Sequence, residues 1–95
     1  MNNTSEPILS KRLKCLSCST RREILLLIKR NAMPIRNIAT SISMTQNTVK
    51  RHIKILNDCE LLSLNKRGNT IIYSANIESL CDTIGTLSCI FSETN

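Results

Sequence analysis

Apolar side chains recur at intervals of three and four through most of the chain, lapse once into alternation, and then resume helical spacing. The first spacing lays apolar positions along one face of an α-helix, and alternation lays them on one face of a strand. Ser5 is placed to cap a first helix, with Pro7 in an opening turn where a missing N–H costs nothing. Ile8, Leu9, Leu13 and Leu16 follow at helical spacing. The polar break Ser17-Cys18-Ser19-Thr20 supplies the next cap, and a second helix over about residues 20–30 buries Ile24, Leu25, Leu27 and Ile28. Residues 31–34 read as a turn, after which Pro34 opens a short helix carrying Ile35, Ile38, Ala39 and Ile42. A second turn at 43–45 leads into a fourth helix over about 45–58, with Val49, His52, Ile53 and Leu56 on one face.

The period then changes. Leu62-Ser63-Leu64-Asn65 alternates, Arg67-Gly68-Asn69 reads as a turn, and Thr70-Ile71-Ile72-Tyr73 is β-branched and aromatic, which predicts a two-stranded hairpin over 62–74. A last helix over about 77–92 sets Ile77, Leu80, Cys81, Ile84, Leu87, Ser88 and Phe91 along one stripe. The expected fold is mainly α with a small β-hairpin, in the order four helices, hairpin, helix. One domain spans 6–92, with a flexible tail at 1–5 and a short tail at 93–95, since 95 residues carry a single core.

Charge adds direction to that outline. The chain carries thirteen Lys and Arg against seven Asp and Glu, a net +6 with a pI near 9.4. All thirteen bases and only three acids fall within residues 11–67, so the middle is a basic module and the ends are mildly acidic. A polyanionic partner follows, with nucleic acid the commonest. The longest apolar run, Ile24 to Ile28, is far short of the roughly 20 residues a membrane span needs. No export signal precedes the five cysteines, so a reducing cytoplasm is expected rather than a disulfide scaffold. There is no phosphate-cradling glycine loop, no usefully spaced carboxylate pair and no nucleophile with a base nearby, so no enzyme is expected. His52, the only histidine, sits among apolar helix neighbours and reads as a packed side chain.

The third and fourth helices, residues 34–58, have the shape of a helix-turn-helix. On a helical wheel the fourth turns Val49, His52, Ile53 and Leu56 inward and leaves Gln46, Asn47, Lys50, Arg51 and Lys54 outward. These outward types read base edges and grip phosphates. Gln46, Asn47 and Lys50, near the helix start, are therefore assigned to bases, and Thr45, Thr48, Arg51 and Lys54 to the backbone. The hairpin following such a helix makes the winged form, with Lys66, Arg67 and Asn69 around Gly68 as its basic tip.

With those residues in hand, the chain resembles the ArsR-type winged helix-turn-helix repressors. The resemblance rests on Leu13-Lys14-Cys15-Leu16-Ser17, Thr20-Arg21, Ile24-Leu25, Ile38-Ala39, Thr48 to Leu56, and Gly68 followed by Ile72-Tyr73, and runs from about residue 9 to 75. Residues 48–53 are also similar to LuxR-type recognition helices, which lack a wing. The resemblance implies a homodimeric repressor, often released from its operator by a metal, metalloid or oxidant. The two-fold symmetry of such a dimer predicts that the operator is an inverted repeat. The family's cysteine pair at the helix-turn-helix has no counterpart in Met33-Pro34-Ile35-Arg36-Asn37, and the last helix has no His. Glu60 stands where Gly usually follows the recognition helix, which predicts a stop near 57–58 or a strained residue.

No cofactor is required by this reading, and no metal site is assigned. Cys15 and Cys18 form a C-x-x-C that Cys81 or Cys89 could join for a soft metal, a metalloid or thiol oxidation, while small buried thiols packing as hydrophobes is the plainer account. Dimerisation is expected through the terminal helices, with Ile77, Leu80, Ile84, Leu87 and Phe91 pairing across a two-fold axis beside Ile8 and Leu9. The alternatives are a regulator without a small effector, or a winged helix whose basic face serves an acidic protein in transcription or assembly machinery.

Overall fold

The computed structural model describes residues 4–92. The expected tail at 93–95 and the first three positions of the other lie outside the described residues. Five helices and one hairpin follow in chain order: α1 (Glu6–Leu16), α2 (Ser19–Arg30), α3 (Ile35–Ile42), α4 (Gln46–Asp58), β1 (Leu62–Arg67), β2 (Thr70–Ala75) and α5 (Ile77–Ser92). The expected element order holds throughout, and β2 runs one residue past the expected wing.

The core is aliphatic and branched. Ile24, Ile28, Ile38, Val49, Leu56 and Leu61 are fully buried where α2, α3, α4 and the base of the wing converge. Each such side chain stabilises the fold by about 1.5–3 kcal/mol through burial. Residues 31–34 are more than a turn, because Met33 is extended and exchanges backbone hydrogen bonds with Tyr73 at 3.1 and 2.9 Å. That single bridge ties the wing to the end of α2, and one Met between Ala and Pro carries no strand period to reveal it.

Helices α3 and α4 end alike. Ser43 (φ +57°) and Glu60 (φ +61°) take the left-handed conformation. Met44 N–H then donates to the Ala39 carbonyl, and Leu61 N–H to the Leu56 carbonyl, both at 3.0 Å. This closure usually uses Gly. Both alternatives expected at Glu60 therefore hold, since α4 stops at Asp58 and Glu60 sits at positive φ. Thr45 begins α4 as its cap, its hydroxyl accepting from Thr48 N–H at 3.2 Å. Ser5 and Cys18 occupy the other expected N-cap positions without a side-chain capping bond.

Arg12 is 5 % exposed, and its guanidinium bonds to three separate parts of the chain. Nε donates to the Cys59 carbonyl at 3.0 Å, one terminal nitrogen reaches Thr83 Oγ1 and Thr4 Oγ1 at 3.2 Å each, and the other pairs with Glu60 at 3.3 Å. Thr4 thus accepts a hydrogen bond from the buried guanidinium. Thr83, buried at the α5 contact, donates onward to the Ser79 carbonyl at 2.8 Å. The apolar stripe of α5 consequently divides. Leu80 packs against the protein's own core, Leu87 is half-buried, and Ile77, Cys81, Ile84, Ser88 and Phe91 face outward. Leu9, expected at a dimer contact, is 2 % exposed and has no surface left to give a second copy, because α1 turns it inward beside Arg12.

Two stability outcomes follow. Arg12→Ala should cost about 3 kcal/mol, since it leaves buried acceptors unsatisfied and opens a void; the urea midpoint measures it, with Lys54→Ala, which removes only an exposed ion pair, as the near-neutral comparison. His52 is half-buried, and its Nδ1 is buried with no hydrogen-bond partner. Burial, then the charges of Arg21 and Arg51, hold its pKa below the ordinary 6.5. The unfolded chain therefore takes up a proton that the folded chain refuses, and the contribution is complete above pH 6.5 and declines below it. Urea midpoints taken downward through that pH should fall more steeply for the wild type than for His52→Gln.

Candidate nucleic-acid interface

The recognition surface begins with the way α4 is held. Val49, Ile53 and Leu56 are buried, and His52 and Thr48 flank them half-buried. At about 100° per residue the remaining arc must face outward. Gln46, Asn47, Lys50, Arg51 and Lys54 are all exposed on that arc. Thr45 is exposed and Thr48 half-buried, and their hydroxyls are bonded to each other at 2.9 Å as part of the cap. Both hydroxyls are therefore oriented by the cap.

The wing tip lies on the same side. Gly68 (φ +61°) and Asn69 form a two-residue turn between the paired Arg67 and Thr70, with positive φ only at the first turn position, as a type II′ turn requires. Lys66, Arg67 and Asn69 are exposed there. Gln46 and Asn69 share the wall of one hollow of about 260 Å³ with Arg36, Thr70 and Ile71. Lys50 and Lys54 share another, of about 340 Å³, with Asn57 and Leu64 of the wing strand. The start of α4 and the wing thus meet around open concavities rather than standing on separate faces.

Two residues on this surface escaped the sequence reading. Arg36, exposed in the first turn of α3, lines the hollow beside Asn69 and a larger one of about 630 Å³ along the α3–α4 turn, in both cases next to Gln46. A base in the opening turn of the first helix of the motif was the available signal. Asn57 lies one turn beyond Lys54 on the same outward arc, and extending the wheel to the helix end would have found it.

Electrostatically the surface is one-sided. Among the described residues the ion pairs are Arg12–Glu60 and Lys54–Asp58, so Lys50, Arg51, Lys66 and Arg67 carry uncompensated charge. Lys54 is held by Asp58 at 3.6 Å on an exposed helix face, an interaction a phosphate can readily replace. The thiols lie elsewhere. Cys15 and Cys59 are buried between α1 and the end of α4, Cys18 is at the α2 N-cap, and Cys81 and Cys89 are exposed on α5. Among the described residues no three His, Cys, Asp or Glu side chains are grouped to hold a metal ion. No helix of the described residues is long and apolar enough to cross a membrane.

Comparison with known proteins agrees with this geometry. The family described as "Bacterial regulatory protein, arsR family" matches residues 18–63. The transcriptional repressor SdpR of Bacillus subtilis (strain 168) is 35% identical over 71 residues, 75% of this chain and 79% of that protein. The arsenical resistance operon repressor of Staphylococcus aureus is 37% identical over 82 residues, 86% of this chain and 79% of its own length. The solved structure of an ArsR-like transcriptional regulator from Rhodococcus sp. RHA1 superposes with a TM-score of 0.86 at 30% identity, covering 92% of this chain and 82% of that one. A recognition helix gripped from behind, a basic wing beside it and these relatives lead to one conclusion: the chain belongs to the arsR family of bacterial regulatory proteins and is a winged helix-turn-helix DNA-binding transcriptional regulator.

Proposed function

We propose that this regulator is a homodimeric repressor that lays α4 of each copy into successive major grooves of an inverted-repeat operator. The observation that carries the reading is the joint exposure of Gln46, Asn47 and Lys50 beside the wing tip. Gln46 and Asn47 offer the paired donor and acceptor that adenine's major-groove edge accepts, and Lys50 donates to guanine. Thr45, Thr48, Arg51 and Lys54 hold the flanking phosphates, and Arg36 extends that line toward the wing. Lys66, Arg67 and Asn69 reach the neighbouring phosphate or minor groove. Repression follows from occupancy, because a dimer seated over a promoter excludes polymerase. The protein acts in the cytoplasm, where bacterial DNA lies.

Dimer formation is supported by α5. Ile77, Cys81, Ile84, Ser88 and Phe91 are exposed at alternating spacings of four and three, which is the seam of a helix that packs on another helix. Ile84 and Phe91 are 66% and 72% exposed, a poor state for such side chains in water. Ile8 of α1, also exposed, joins the seam, and Leu80 and Leu87 contribute their uncovered edges. A two-fold pair sets the recognition helices about 34 Å apart, one turn of duplex. An effector acting through cysteine, whether a soft metal, a metalloid or an oxidant, would draw on Cys15, Cys18, Cys81 and Cys89, and release by it completes the cycle. A metal would need the second copy to complete its ligands, since no three are grouped among the described residues of one chain.

Selection of bound fragments from genomic DNA, followed by titration of the recovered duplex across a salt series, tests the reading. Binding should weaken steeply, with a log–log slope near −0.9 per phosphate neutralised. A shallow slope together with binding to an acidic protein would support a protein-contact role instead. Gln46→Ala and Lys50→Ala should each cost about 1–3 kcal/mol on the operator and relax its sequence preference, whereas Lys66→Ala and Arg67→Ala should weaken all duplexes alike and lower the slope by about 1 each. Ile84→Glu places a charge in the α5 seam, and sedimentation at micromolar concentration should show a dimer for the wild type and a monomer for the variant.

A further inference from the structure

Cys15 lies in the last turn of α1 and Cys59 follows the last residue of α4. Their side chains are buried, at 3% and 4% exposure. Cys59 Sγ–H points at the Lys11 carbonyl, 3.8 Å away, and Lys11 stands one helical turn before Cys15. Both cysteines line a hollow of about 290 Å³ open to solvent, whose other walls are Lys11, Lys14, Arg21, Ile55 and Asp58. The hollow gives a small solute a way toward the pair, and Arg21 on its wall favours the thiolate that any reaction must pass through, against the larger effect of burial. Burial first, and the neighbouring Cys59 next, push the Cys15 thiol up to about 12, so Cys15 rests protonated.

We propose that Cys15 and Cys59 are an oxidisable dithiol, and that its closure by a hydroperoxide ties the end of the recognition helix to α1 and lowers affinity for DNA. One sulfur, losing its proton, attacks the peroxide; the O–O bond breaks, and the departing oxygen takes up a proton and leaves as alcohol or water. The second sulfur then attacks the sulfenic acid, the S–S bond forms and water leaves. The two sulfurs together lose two electrons and the peroxide gains them. The new bond is about 2.05 Å long, far shorter than any contact between unbonded sulfurs, so Cys59 must move toward α1. Cys59 is not free to move alone. Its carbonyl is held by Arg12 at 3.0 Å and its N–H lies 3.3 Å from the carbonyls of Ile55 and Leu56. A shift there therefore tilts α4 as a rod and carries Gln46, Asn47 and Lys50 at its far end.

The DNA arm of the test rests on the function proposed above, and the disulfide arm does not. In the Cys18→Ser/Cys81→Ser/Cys89→Ser variant, whose fold keeps both buried thiols, hydrogen peroxide should lower the mass of the single chain by about 2 Da and block both thiols to alkylation. In the wild type, the linked peptides should join the segments around residues 15 and 59. The closed form should bind the selected duplex roughly tenfold more weakly, recover with dithiothreitol, and have no counterpart in Cys59→Ala. Thiols that stay alkylatable after peroxide, a wild-type link between Cys15 and Cys18, or a closed form with the affinity of the reduced chain would each overturn the proposal. A chain that closes as described but binds no duplex in either state would count against the operator reading and leave the pairing established by mass alone.

Discussion

Val49, Ile53 and Leu56 press α4 onto the body of the domain, and the rest of the surface chemistry depends on that contact. Burying the three contributes several kcal/mol, at roughly 1.5–3 kcal/mol for each. With that side fixed, helical geometry leaves no choice about where Gln46, Asn47, Lys50 and Lys54 face. The same contact sets the spacing between the helix and the wing, because Leu61 and Tyr73, which root the hairpin, are buried in the same core. A winged helix presents a rigid reading edge only while this grip holds.

Arg12 extends the grip to the far end of α4. A buried guanidinium is costly unless its donors are met, and here they are met by α1's own N-terminal flank, by the residues closing α4, and by α5. The helix carrying the exposed apolar seam is thereby joined through one side chain to the end of α4. Cys15 and Cys59 sit against the same junction. A change at either helical terminus has a short, hydrogen-bonded route to the reading edge, and a domain this small has few other ways to couple its surfaces.

The helical part of the fold was legible because its period is strong. The burial of α4 falls on the expected side, and the wing was marked by a switch to alternation around a single Gly. What escaped detection depends on contacts between distant segments. The Met33–Tyr73 bridge has no local signature, and neither does the burial of Leu9, which the wheel alone could assign to either partner. The division of the α5 stripe came from Thr83, a polar residue buried because Arg12 gives its hydroxyl a partner. Arg36 has no place on the wheel of α4, because it belongs to the first helix of the motif. Cys59 looked isolated in sequence, and only the packing of α1 on the end of α4 brings it to Cys15.

The central claim is that one contiguous surface, made by the outward arc of α4, the first turn of α3 and the tip of the wing, meets the duplex. Backbone amide shifts recorded while a duplex is added at low salt test it residue by residue. The account requires shifts concentrated at Arg36, through Gln46 to Lys54, and from Lys66 to Thr70, with the outer face of α5 unchanged. Shifts confined to α2 or α5, with α4 and the wing silent, would contradict it.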